Sequence, residues 1–191
     1  VSSGWGLFHG KQVDGHLGRL YFADYNGDGR ADLFVHNGTD LSVRLNTGSG
    51  FDGGRSVSSG WGLFHGKQIT GGLGRLYFAD YNGDGRADLF VHNGTDISVR
   101  LNDGSGFDGG RSVSSGWGLF HGKQVDGHLG RLYFADYNGD HRTDMVVHNG
   151  TDLSVRLNTG SGFDGGRSVS SGWGLFHGRD LDGHLGRLSF A

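Results

Sequence analysis

Three short stretches of this chain could do metal chemistry. Asp24, Asn26, Asp28, Arg30 and Asp32 fall in the pattern D-x-N-x-D-G-x-x-D. The pattern recurs as Asp80, Asn82, Asp84, Arg86 and Asp88, and again as Asp136, Asn138, Asp140, Arg142 and Asp144. Alternate side chains of a tight loop converge, and a hard cation such as calcium needs 6–8 oxygen ligands. Positions 1, 3 and 5 supply side-chain oxygens, and the arginine at position 7 supplies a backbone carbonyl. The aspartate at position 9 closes the set without a following helix. The expectation is about three Ca²⁺ per chain. The alternative is three Asp-rich turns with no metal, in which each cluster carries its own like-charge repulsion. At position 6 the third copy has His141 where the others have Gly29 and Gly85. If this position needs a positive φ, the non-glycine residue is strained and the third loop is the weakest of the three.

A second group offers rings rather than oxygens. Each repeat carries Trp-Gly-Leu-Phe-His, as in Trp61, Phe64 and His65. An aromatic face with a polar edge suits a sugar, and equally suits packing between sheets. His36, His92 and His148 precede Asn-Gly turns and read as turn partners before they read as metal ligands. Arg44, Arg100 and Arg156 sit on the polar side of alternating runs and are expected to be solvated or paired with Asp.

The elements that carry these residues repeat with a period of 56. VSSGWGLFHG begins at Val1, Val57, Val113 and Val169. One unit holds four strand-like runs. Gly18–Ala23 comes first, then the continuous apolar run Leu33–His36, the strictly alternating Leu41–Asn46 and the polar Arg55–Ser59. Asn37–Asp40 and Asn46–Gly50 supply hairpin turns between them. Four short antiparallel strands per repeat predict the blade of an all-β propeller. The blades run approximately 18–73, 74–129 and 130–185, with 1–17 and 186–191 as partial blade elements of a single repeat domain. Three full blades do not close a ring, so the expectation is completion by homo-oligomerisation or an excerpt from a longer array.

Composition agrees. Gly contributes 41 of 191 residues and Pro and Cys none, so the chain is rich in turns and has no disulfide or thiolate chemistry. All 20 acidic residues are Asp, which favours turns over helices. A net charge of −3 without a basic cluster speaks against nucleic acid, and no apolar run is long enough to span a membrane as a helix. No G-x-S-x-G or H-E-x-x-H motif occurs, and every polar cluster recurs in each unit. That repetition suits multivalent binding rather than an enzyme.

The phrase FADYNGDGRADLFVHNG, with VRLNTGSGF after it, resembles the FG-GAP/VCBS repeat family of integrin-like propellers. The resemblance implies a propeller, often secreted, with calcium in the loop between the first two strands of a blade. The chain is also similar to mushroom N-acetylglucosamine-binding propeller lectins, whose repeats carry Gly-Trp followed by His and Arg. Here that resemblance implies a carbohydrate site at Trp5, His16 and Arg19, at Trp61 and Arg75 (with Gly72 in the histidine position), at Trp117, His128 and Arg131, and at Trp173, His184 and Arg187. The expected function is a secreted or cell-surface calcium-binding propeller that binds glycans. The alternatives are a self-assembling structural ring or fibre and a non-catalytic appendage of a secreted enzyme.

Overall fold

A computed structural model describes residues 12–13, 16–17, 19–37, 40–60, 68–69, 72–73, 75–93, 96–116, 124–125, 128–129, 131–148, 152–172, 180–181 and 184–185. A two-residue hairpin, β1 (Gln12–Val13) with β2 (His16–Leu17), precedes the first sheet. That sheet is β3 (Arg19–Ala23), β4 (Asp32–His36), β5 (Leu41–Arg44) and β6 (Arg55–Ser58). The pattern repeats with the hairpin β7 (Gln68–Ile69) and β8 (Gly72–Leu73), then β9 (Arg75–Ala79), β10 (Asp88–His92), β11 (Ile97–Arg100) and β12 (Arg111–Ser114). It repeats again with β13 (Gln124–Val125) and β14 (His128–Leu129), then β15 (Arg131–Ala135), β16 (Asp144–His148), β17 (Leu153–Arg156) and β18 (Arg167–Ser170). A last hairpin pairs β19 (Asp180–Leu181) with β20 (His184–Leu185).

Each four-stranded sheet is an antiparallel meander in chain order, and the described residues contain no helix. This is an all-β, incomplete propeller of three blades, as the repeat predicts. The strands follow their sequence patterns. The continuous apolar run becomes β4, buried at all five positions, and its copies β10 and β16 are the same. The alternating run becomes β5, with Leu41 and Val43 buried and Ser42 and Arg44 partly exposed. The polar run becomes the edge strand β6, where Val57 is buried behind exposed Arg55 and Ser56. A register shift between Leu41 and Ser42 bends the β5–β6 pair. The short hairpins between blades carry no strong alternation, and the sequence gives no hint of them.

The cores lie between blades. Tyr25, Phe34, Leu41 and Val43 of the first blade cluster with Leu76, Leu89 and Val91 of the second. Tyr81, Phe90, Ile97 and Val99 of the second cluster likewise with Leu132, Met145 and Val147 of the third. Ring stacking locks each junction. Phe34 lies on Phe78 at 4.1 Å and 22°, and Phe90 on Phe134 at 4.3 Å and 29°. Tyr25 meets Phe107 edge-on at 6.1 Å, and Tyr81 meets Phe163 in the same way. The backbones approach closely as well. A Cβ on Gly106 would stand 3.0 Å from the Val57 carbonyl oxygen, so a larger residue there would push the blades apart.

Candidate functional site

The aspartate loops join the first and second strands of each blade. Asp24 anchors the first loop. The Gly27 and Gly29 N–H groups donate to its two carboxylate oxygens at 2.7 Å each, and Asp28 N–H adds a third bond at 3.2 Å. Asp28 in turn accepts from Arg30 N–H at 2.9 Å and from Asn26 Nδ2 at 3.1 Å. The same bonds recur around Asp80 and Asp136. These donors favour the ionised carboxylate. The Arg30 N–H holds Asp28 below its ordinary pKa, and the Arg142 N–H does the same for Asp140. Partial burial pushes Asp84 up, but the Arg86 and Asn82 donors outweigh it and the net shift is downward. The arginine side chain closes each loop, at 3.3 Å for Arg30–Asp28, 2.9 Å for Arg86–Asp84 and 3.2 Å for Arg142–Asp140. Exposed as they are, these pairs add little stability.

The ninth-position aspartates point the other way. Asp32 is fully buried, and its two oxygens accept from Tyr25 N–H at 2.9 Å and Asn46 N–H at 2.7 Å. Asp88 and Asp144 make the equivalent pairs of bonds. Burial pushes the Asp88 carboxyl up to about 6 against those N–H groups, with Asp84 and Asp80 adding to the rise.

The donor set suits calcium in kind. Asp24, Asn26 and Asp28 offer hard oxygens on one solvent-facing turn, and the Arg30 carbonyl follows them. Among the described residues, however, no three Asp, Glu, His or Cys side chains are drawn onto a single point. Backbone N–H groups occupy the first and ninth carboxylates instead. His141 adopts φ 67°, beside φ 81° at Gly29 and 85° at Gly85. The left-handed conformation expected at this position is therefore present, and His141 alone among the described non-glycine residues adopts it.

Of the carbohydrate residues implied by resemblance, Trp5, Trp61, Trp117, Trp173 and Arg187 lie outside the described residues, as do Phe64 and His65. His16, His128 and His184 each begin the second strand of a short hairpin, as does Gly72 in the second repeat. Arg19, Arg75 and Arg131 open the first strand of each blade, opposite His36, His92 and His148. Arg75 feels both flanking arginines. Burial lowers its pKa and Arg131 and Arg19 lower it further, while Tyr77 and Tyr21 oppose. The three histidines are buried at the blade ends. Burial pulls His92 down to about 4, with Arg75 assisting and Asp96 opposing. Arg44, Arg100 and Arg156 donate to the carbonyls of Asp52, Asp108 and Asp164 in their own blades.

The sequence reading missed Asn102 and Asn158. Asn102 Nδ2 donates to Tyr25 O of the preceding blade at 2.7 Å and to Ala87 O at 3.1 Å. Asn158 does the same to Tyr81 O and Thr143 O. Ala87 N–H to Asp24 O and Thr143 N–H to Asp80 O complete the stitching, so each aspartate loop is bonded to the next. The only sequence signal was an Asn at the same place in every repeat.

Comparison with solved structures places this geometry among propellers. An Agrocybe aegerita lectin, solved for its specific recognition of non-reducing terminal N-acetylglucosamine, superposes with a TM-score of 0.65 at 24% identity. The match covers 82% of this chain and 39% of the lectin. The Photorhabdus luminescens Tc holotoxin pore matches with a TM-score of 0.57 at 22% identity, over 82% of this chain and 7% of that one. This chain thus spans about two fifths of the lectin and a small part of the toxin. No curated protein matches the sequence. The FG-GAP-like repeat family matches residues 24–91 and 80–147, two overlapping pairs of loops with the strands between them, and the chain belongs to that family.

Proposed function

We propose that this chain is a non-catalytic carbohydrate-binding propeller module, multivalent through its repeated blades. The observation that supports it most is the blade architecture shared with the N-acetylglucosamine-recognising lectin over 82% of the chain. Near-identical blades would place the same Arg-led strand opening at Arg19, Arg75 and Arg131, one copy per blade. Weak single sites then gain by avidity. Calcium in the three loops, a secreted or cell-surface location and a homo-oligomer belong to the same proposal. Extracellular calcium sites work at roughly 10⁻⁴–10⁻³ M, where the ion is plentiful.

A glycan array followed by calorimetry with free N-acetylglucosamine tests the proposal. Binding to terminal N-acetylglucosamine or another glycan, weakened at least tenfold by Arg75→Ala, supports it. Binding to no glycan by a folded, calcium-supplied protein overturns it. A second reading, a self-assembling structural protein, draws on the exposed rings of Phe22 in the first blade and Tyr137 in the third.

A further inference from the structure

Each aspartate loop already carries a cation, and it is one of the loop's own side chains. The arginine at position 7 reaches back to the aspartate at position 5 in all three copies. In the second loop, Arg86 Nη2 donates to Asp84 Oδ2 at 2.9 Å, and Asn82 Nδ2 donates to the same oxygen at 3.1 Å. The other oxygen of Asp84 accepts the Arg86 N–H at 2.9 Å. Asp84 is thus the carboxylate that both the arginine and an incoming metal ion would use. The guanidinium is a stand-in for that ion, because the turn has already drawn positive charge onto one of its oxygen donors.

Packing holds two of these arginines in place. A Cβ on Gly27 would stand 3.3 Å from Arg86 Cγ, and one on Gly83 would stand 3.4 Å from Arg142 Cγ. Each stem therefore lies against the aspartate loop of the preceding blade. At the far end, a Cβ on Gly104 would stand 4.0 Å from Arg86 Nη1, and one on Gly160 3.3 Å from Arg142 Nη1. Gly104 and Gly160 belong to the turns that start at Asn102 and Asn158, the residues that stitch the junctions. The next residues, Ala87 and Thr143, are tied through their N–H groups to Asp24 O and Asp80 O. Arg86 Nε is itself buried. A head group confined in this way stays beside its carboxylate when a second cation arrives.

We propose that Arg86 and Arg142 are built-in competitors of the divalent cation in their loops, and that they set its affinity by their charge at the position-5 aspartate. The inference rests on the reading of the loops as calcium sites and adds a role for these side chains. Position 7 then works in two directions: its carbonyl serves the ion and its side chain opposes it. The ion pair itself is partly exposed, so breaking it costs little. Repulsion between a retained guanidinium and a doubly charged ion is the larger effect, and it is sizeable even at the dielectric constant of water. A loop whose charge is partly neutralised by its own arginine keeps its shape in chelator and loads only where the ion is plentiful.

Calorimetric titration of the chelator-treated chain with calcium chloride tests it. Arg86→Met keeps an aliphatic stem on Gly27 and the carbonyl of position 7, and removes the head group. It is expected to tighten one binding event by about threefold to tenfold. Arg142→Met, an independent copy, is expected to do the same for another. Arg86→Lys restores a positive charge and should return the affinity toward that of the parent. Arg100→Met removes the same charge from the same blade, outside the loop, and should leave every event unchanged. Circular dichroism and melting in chelator show that each variant is folded. Calcium binding no tighter in both loop methionine variants than in the parent overturns the proposal and leaves calcium in the loops. So does a lysine variant as tight as Arg86→Met, or an equal gain in Arg100→Met, since guanidinium charge at the aspartate would then not be the cause. Flat titrations in the parent and all variants overturn the calcium reading and the proposal together.

Discussion

At the scale of single residues, burial sets the protonation of two groups in opposite senses, and acid should separate them. His92 is about 1% exposed and its pKa is lowered from 6.5 to about 4. The fold holds it neutral while the unfolded chain takes up a proton. Its contribution is therefore complete above pH 6.5 and is lost as pH falls toward 4, by about 2 kcal/mol at pH 5. Asp88, raised from 3.8 to about 6, runs the other way. Its protonated form suits the fold, so its contribution is complete below pH 3.8 and is lost as pH rises through 6. The two slopes overlap between pH 4 and 6 and partly cancel in the unaltered chain. Replacing the histidine exposes the hidden slope. On moving from pH 7.5 to pH 5, His92→Gln should gain about 2 kcal/mol relative to the parent. Urea unfolding of both proteins at the two pH values measures this difference of differences, and equal changes in the pair would show that His92 is not held neutral.

At the scale of elements, the blades are joined by a few polar stitches among stacked rings, and equivalent stitches differ in weight by position. Asn102 is buried and its side chain serves two carbonyls, one of them 77 residues away; among the described residues Asn46 serves one, within its own blade. Deleting a buried donor strands its acceptors, at about 1–3 kcal/mol, whereas water replaces an exposed one. Asn102→Ala should therefore lower unfolding free energy by about 2 kcal/mol, and Asn46→Ala by well under 1 kcal/mol, in denaturant titrations. Equal losses would mean that the bond to Tyr25 O contributes nothing. The same contrast explains what could be read from the residues alone. The strands were legible because Leu33–His36 is a continuous apolar run and Leu41–Asn46 alternates, so each writes its burial into the local sequence, and Asn37 and Gly48 mark turns beside them. The left-handed backbone at residue 141 was legible because two of three copies put Gly there. The role of Asn102 was not, because its partner lies a full blade away and no local pattern points to it. Nor was the inward turn of Asp32. The motif spacing grouped it with Asp24 and Asp28, while the fold set it against two backbone N–H groups of its own blade.

At the scale of the molecule, the aspartate loops and the junctions form one connected structure, so an ion bound in a loop would be felt by the whole stack. Asp24 and Asp80 lend their carbonyls to the next blade and their carboxylates to their own turn. In a repeat array each unit is stabilised by itself and by its neighbours, and a loop that stiffens one unit also stiffens the junction it feeds. Calcium bound only by the folded state adds RT ln(1 + [L]/Kd), about 1.4 kcal/mol per loop at tenfold saturation. Three loops would give about 4 kcal/mol. The third should give least, because His141 holds a conformation that costs a side-chain-bearing residue on the order of 1 kcal/mol. Calorimetric titration of the chelator-treated chain should then resolve two tighter sites and one looser. His141→Gly should bring the third into line with the others and raise stability by about 1 kcal/mol even in chelator. Magnesium is the control for mere charge screening, since it prefers a stricter octahedron and retains its water. A melting temperature unmoved by calcium, together with a flat titration, would leave the loops as self-sufficient turns held by backbone N–H groups and arginine. In that case His141→Gly would still stabilise the chain, which separates the backbone strain from the ion.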